Sequence, residues 1–104
     1  MDREQLNALV VRTRKDLRLM DWFLEVQPDS EQKDAHVVIA RETRRATILY
    51  NPDAPNLQFL VKHEMVHVLL SDMDFIACNG RSVDVMEFYN LKEERVCNVI
   101  AAIL

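Results

Sequence analysis

No stretch of this chain is long and apolar enough to span a membrane, and the opening Met-Asp-Arg-Glu-Gln lacks the apolar segment of a secretory signal. Membrane-embedded and secreted proteins are therefore not expected, and a cytoplasmic one is. Cysteine is scarce: Cys78 and Cys97 form no CxxC pair, which excludes a disulfide framework and points to reduced thiols. Cys97 reads as a small core residue rather than a metal ligand. Neither charge sign dominates, since 13 Lys and Arg against 17 Asp and Glu leave a net charge of −4. The basic residues that do cluster, Arg12, Arg14, Lys15 and Arg18, have no aromatics between them, so they read as a solvated face and nucleic acid is not expected as a partner. Internal repeats, low-complexity tracts and interdomain linkers are also missing. With 104 residues, 49% of them hydrophobic, there is material for one core and no second domain, so residues 1–104 are expected to fold as a single unit.

What is present is concentrated in one pentapeptide, His63-Glu64-Met65-Val66-His67. It spells HExxH within Leu57–Leu70, where Phe59, Leu60, Val66, Leu70 and the two histidines recur at helical steps with no Gly or Pro between them. Asp53 and Pro55 supply a start signal, and Ser71-Asp72 reads as the exit. Residues four apart on a helix lie on one face, so both imidazoles can close on a single ion while Glu64 stands beside the ion's open position. A zinc hydrolase needs these parts: ligands that hold Zn2+ and a carboxylate that takes a proton from its water.

Two histidines require a third protein ligand. Ser82–Leu104, after the Cys78-Asn79-Gly80 turn, reads as a second long helix with Met86, Tyr89, Val96, Cys97, Ile100 and Leu104 as its apolar stripe. Glu87, Glu94 and Asn98 run beside that stripe. Glu93 points nearer its middle. All three glutamates are candidate ligands.

HEMVH followed by Glu94-Arg95-Val96-Cys97-Asn98-Val99-Ile100-Ala101-Ala102 resembles the ImmA/IrrE-type zinc metallopeptidases and, more broadly, the gluzincins. The resemblance covers mainly residues 57–104. Those enzymes carry HExxH on one helix and a glutamate ligand on a following one, opening an E-x-x-small-[Asn/Asp] pattern trailed by alanines. Residue by residue, it implies Glu94 as the ligand, Cys97 as the small position, Asn98 as the polar one, and Ala101 and Ala102 as the alanines. Glu87 lies at a separation from His67 that suits larger gluzincins, but the residues after it do not continue the pattern. Asn98, one turn after Glu94, is then expected to hydrogen-bond a ligand histidine and fix its tautomer. The resemblance further implies a peptide or protein substrate, such as a repressor cut in phage or mobile-element regulation. Relatives of this type usually continue past the apolar helical end at Ala101-Ala102-Ile103-Leu104, so a partner surface or a homo-oligomer is expected there.

The front half supplies a scaffold. Residues 2–19 read as an amphipathic helix with Leu6, Leu9, Val10, Thr13 and Leu17 inward. Three β-rich segments follow, Trp22–Gln27, Ala35–Arg41 and Ala46–Tyr50, the last two close enough for a hairpin. The expected fold is α+β: N-terminal helix, small three-stranded sheet, HExxH helix, glutamate helix. On this plan Glu64 is the general base, and His63, His67 and Glu94 are the metal ligands. Tyr50, Tyr89, His36 and Arg81 are candidates to stabilise an oxyanion or hold substrate. Ala35–Arg41 is the expected sheet edge for an extended peptide. The other function classes are a catalytically silent zinc-binding interaction domain, and a helical interaction module without metal in which HExxH is fortuitous.

Overall fold

The fold was taken from a computed structural model, which describes every residue except Asn79 and Arg81, and only the backbone of residues 74–78. The α+β arrangement is as expected. Helix α1 spans Arg3–Asp16, strand β1 Phe23–Pro28, β2 Ala35–Ala40, a single 3-10 turn Arg41–Thr43, β3 Arg45–Tyr50, helix α2 Leu57–Cys78 and helix α3 Val83–Ile103.

Helix α1 opens with a reciprocal cap: the Gln5 backbone N–H donates to Asp2 Oδ1 at 2.8 Å, and the Asp2 N–H donates to Gln5 Oε1 at 2.9 Å. Its inward residues are those that the periodicity marks, with Leu6, Leu9, Val10, Thr13 and Leu17 all buried. The helix ends before position 19 because Arg18 takes a left-handed conformation, φ 56°. The Leu19 N–H then returns to the Arg14 carbonyl at 2.9 Å. The Arg14 guanidinium caps the carbonyls of Leu19 and Met20 at 3.1 and 3.0 Å, so this arginine of the basic cluster serves the helix end rather than solvent alone.

The sheet has the order β1-β3-β2. Strand β3 pairs in parallel with β1, Val26 opposite Ile48, and antiparallel with β2, Val37 opposite Ile48. Along β3, Ala46, Ile48 and Tyr50 are buried and alternate with more exposed neighbours, so one face of the sheet meets the helices. Strand β2 has β3 on one side and a free edge on the other, and α2 lies against it.

Helix α2 begins at Leu57, after Asn56 in a left-handed conformation (φ 57°), which leaves Pro55 and the expected acidic cap Asp53 outside the helix. Its C-terminal half corrects the sequence expectation: Ser71-Asp72 is not an exit, and the helix runs on to Cys78. The Ser71 hydroxyl donates to the Val68 carbonyl at 2.7 Å within the helix, satisfying a side chain that would otherwise compete with the backbone. Helix α3 starts with Ser82 accepting from the Val85 N–H and packs along α2. Its far end is pinned by buried Lys62, whose Nζ donates to the Leu104 carbonyl at 2.7 Å. The buried positions of α3 are Glu93, Cys97 and Ala101, whereas Met86 and Val96, expected in the stripe, are exposed. Among the described residues, no helix is long and apolar enough to cross a membrane.

Candidate metal centre

Two helices build the site. The buried Val61, Met65 and Val68 seat α2 in the core and leave His63 and His67, one turn apart, at the margin facing α3. Their rings meet edge to face, with centroids 4.9 Å apart, and Phe59 flanks His63 at 6.2 Å. From α3, Glu94 closes the triangle. Its Oε1 lies 2.7 Å from His67 Nε2 and its Oε2 lies 3.1 Å from His63 Nε2, while the two Nε2 atoms are 3.2 Å apart.

The next residue back along α3 holds the other side of the same ring. Glu93 Oε1 lies 2.7 Å from His67 Nδ1, so this ring has a carboxylate at each nitrogen, and with an ion at Nε2 its proton belongs on Nδ1 facing Glu93. Three potential ligand groups, the two Nε2 atoms and the Glu94 carboxylate, converge. Each N–H can serve one acceptor, so no placement of protons turns all three contacts of the triangle into hydrogen bonds. One cation at the centre would satisfy all three at once. A tetrahedral zinc ion with bonds of about 2.0–2.1 Å keeps its ligand atoms roughly 3.3–3.4 Å apart, so seating one requires the side chains to open slightly, most at the 2.7 Å contact between His67 and Glu94, by roughly 0.6–0.7 Å. Two imidazoles and a carboxylate also suit that ion chemically. The residues present fit a metal.

Glu64 stands beside this cluster, half-buried. Burial pushes its carboxyl up to about 7; His67 acts in the opposite direction, Glu94 reinforces the rise, and the backbone N–H of Val37 on β2 partly offsets it. Near neutral pH such a group can take up and release a proton.

The residue pattern left three glutamates open and the resemblance favoured Glu94; the structure gives each a distinct place. His63, His67 and Glu94 meet around a point, and a second set, His67, Glu93 and Cys97, has its ligand atoms within 4.8 Å of one another. Glu93 is therefore in contact with the site, but through the back of a histidine. Glu87 is exposed on α3 and belongs to neither set. Asn98 does not do what was expected of it. It is exposed and hydrogen-bonds neither histidine; at His67, Nδ1 instead faces the buried Glu93. A charged residue in the middle of an apolar stripe was the available signal for Glu93, since a buried carboxylate requires a partner.

His36 is exposed on the face of β2 that turns away from the core, the wrong side for the centre. Tyr50 is buried in the core, with no hydrogen bond to His63, Glu64, His67 or Glu94. Tyr89 is half-buried on α3, one turn before Glu93 and on the same face. Arg81 lies outside the described residues. No family model matches the chain, and neither curated proteins nor solved structures give a match.

Proposed function

We propose that this chain is a zinc-dependent metallopeptidase of the ImmA/IrrE-like kind, acting on a peptide or protein in the cytoplasm. The observation that carries the reading is the convergence of His63 Nε2, His67 Nε2 and the Glu94 carboxylate beside a half-buried Glu64. Three protein ligands leave a fourth position open, the pattern of catalytic rather than structural zinc. When bound, the ion supplies a Lewis acid for the scissile carbonyl and lowers the pKa of its water towards about 7.

The chain's own residues do the rest. Glu64 accepts a proton from the attacking water and returns it to the departing amine, and a carboxyl held up to about 7 can do both at neutral pH. The free edge of β2 lies against the same helix, with the Val37 N–H turned to Glu64. By the alternation of an antiparallel ladder, the outward main-chain groups are those of Ala35, Val37 and Ile39. An extended substrate added along that edge would pass beside Glu64.

A silent zinc-binding interaction domain is the second reading, favoured by one observation. Phe88, Leu91, Val99 and Ile103 leave the outer side of α3 apolar and exposed, a surface of the kind that marks protein interfaces. Glu64 argues for turnover, because structural zinc needs no base.

The deciding experiment measures zinc content and cleavage of a broad peptide library for wild type and Glu64→Gln. The enzyme reading expects one zinc in both proteins and cleavage in wild type alone. Equal background release from the two, with zinc retained, leaves the silent domain; no zinc in either removes both.

A further inference from the structure

We infer that Glu93 is the positioning residue of this centre: it fixes His67 in the one tautomer that can ligate and transmits the charge of the bound ion into the core. The inference rests on the assignment of His63, His67 and Glu94 as ligands, and it gives Glu93 a role distinct from theirs.

Three observations carry it. First, consecutive residues of α3 hold opposite nitrogens of one ring, Glu93 at Nδ1 and Glu94 at Nε2, each at 2.7 Å. A neutral imidazole has one N–H, so the acceptor that captures it decides which nitrogen keeps the lone pair. Both nitrogens face a carboxylate, and Glu93 is the acceptor that stays in place when an ion takes Nε2, so the tautomer with the proton on Nδ1 is the one it holds. Second, Glu93 is buried, 6% exposed, while Glu94 is open to solvent. An immobile acceptor behind a ligand sets the ring's orientation as well as its tautomer, and a carboxylate there raises the basicity of the ligating nitrogen. Third, the other carboxylate oxygen, Glu93 Oε2, is buried and has no hydrogen-bond partner. An acceptor left unserved in the interior destabilises the fold. A cation across the imidazole would polarise Nδ1–H towards Oε1 and favour the charge of the buried carboxylate, so the zinc-free protein alone would bear the full penalty of the unserved Oε2. Glu93 thereby makes the metal a component of stability.

A merely structural glutamate predicts that truncation weakens fold and metal binding together. Positioning predicts opposite signs. The test measures zinc affinity by chelator competition, thermal unfolding of the zinc-free protein, and the His67 tautomer by 15N NMR, in wild type, Glu93→Leu and Glu93→Gln. Glu93→Leu should bind zinc roughly 10- to 100-fold more weakly, while its zinc-free form unfolds at the same temperature as wild type or higher. Glu93→Gln, which retains an acceptor for Nδ1–H, should keep the tautomer and recover part of the lost affinity. Wild type and Glu93→Gln should show protonated Nδ1, and Glu93→Leu a mixture.

Wild-type affinity in Glu93→Leu, or a zinc-free Glu93→Leu destabilised in step with its affinity loss, would overturn the inference. So would a thiolate–metal absorption band on cadmium binding that Cys97→Ser abolishes, since Cys97 Sγ belongs to the same cluster as Glu93 and His67 Nδ1. That result would make Glu93 a ligand. If wild type holds no zinc, the ligand assignment fails on its own account, and the tautomer spectra of the zinc-free proteins still decide whether Glu93 governs His67.

Discussion

Arg44 and Asp72, 28 residues apart in sequence, meet at 2.9 Å and tie the connection between β2 and β3 to the C-terminal half of α2. Arg44 adopts a left-handed conformation at φ 54°, and its guanidinium lies over the Trp22 ring at 5.1 Å, while Arg41 adds a longer contact to the same carboxylate at 3.4 Å. The hydrogen bond from Arg44 is the largest cause holding the Asp72 carboxyl below its ordinary value. A depressed folded-state pKa means that the unfolded chain binds the proton more readily. The contribution is therefore complete above the usual carboxylate range and is lost as pH falls through the folded value. Asp72→Asn should lower the unfolding temperature at pH 7 and have a shrinking effect towards pH 3. Thermal unfolding of both proteins across that range checks it, and an effect constant with pH would contradict the ion-pair account. The pair is solvent-exposed, so the effect should also weaken in high salt.

Glu64 carries the opposite sign. Burial raises its folded-state value to about 7, so the zinc-free native state holds the proton more tightly than the unfolded chain does. Its stability therefore falls as pH rises from the ordinary carboxylate range to about 7. Glu64→Gln should stabilise the zinc-free protein by roughly 1–2 kcal/mol at pH 8, after discounting the shift for partial exposure, and change little at pH 4. Urea denaturation in the presence of a chelator at the two pH values measures the difference. A loss of stability at pH 8 would show that the carboxylate is better served than its burial implies.

The periodicity of α1 and the alternation in β3 were legible because each is a local pattern with one buried face. Leu6, Leu9, Val10, Thr13 and Leu17 needed no knowledge of what covers them. Strand order was not legible, because the parallel pairing of β1 with β3 depends on a connection through β2 that no local pattern encodes. The far end of α2 was misjudged for a related reason. Ser71 and Asp72 look like a helix exit until the Val68 carbonyl and Arg44 are seen to take their side chains. HExxH placed its two imidazoles correctly, since helical spacing suffices. The resemblance pointed to Glu94, but that Glu93 also reaches His67 depends on the rotation of α3 against α2, which gave the two residues opposite nitrogens of one ring and left Asn98 outside.

The core assignment makes a contrasting pair of predictions on opposite faces of the sheet. Ile48 is fully buried at the centre of β3, whereas Val38 on β2 is 53% exposed. Ile48→Ala should cost about 2–5 kcal/mol through lost burial and the cavity left behind. Val38→Ala should stay within about 0.5 kcal/mol. Denaturant midpoints for the two variants provide the check, and a large effect at Val38 would mean that a partner covers the outer face.

Zinc should stabilise this fold in a way that reports which side chains hold it. A ligand that binds only the native state, at a free concentration a hundredfold above its dissociation constant, adds about 2.7 kcal/mol. Wild type should gain that much, and His63→Ala and Glu94→Ala should each lose most of it, because two donors hold the ion far less well than three. Asn98→Ala should gain as much as wild type, since Asn98 touches neither histidine. The measurement is the shift in unfolding temperature between chelator and buffered zinc. Metal binding requires unprotonated ligands, so the wild-type shift should also shrink in acid. If Asn98→Ala lost the zinc shift while Glu94→Ala kept it, the placement of α3 against α2 would be wrong at the one point on which the candidate metal centre depends.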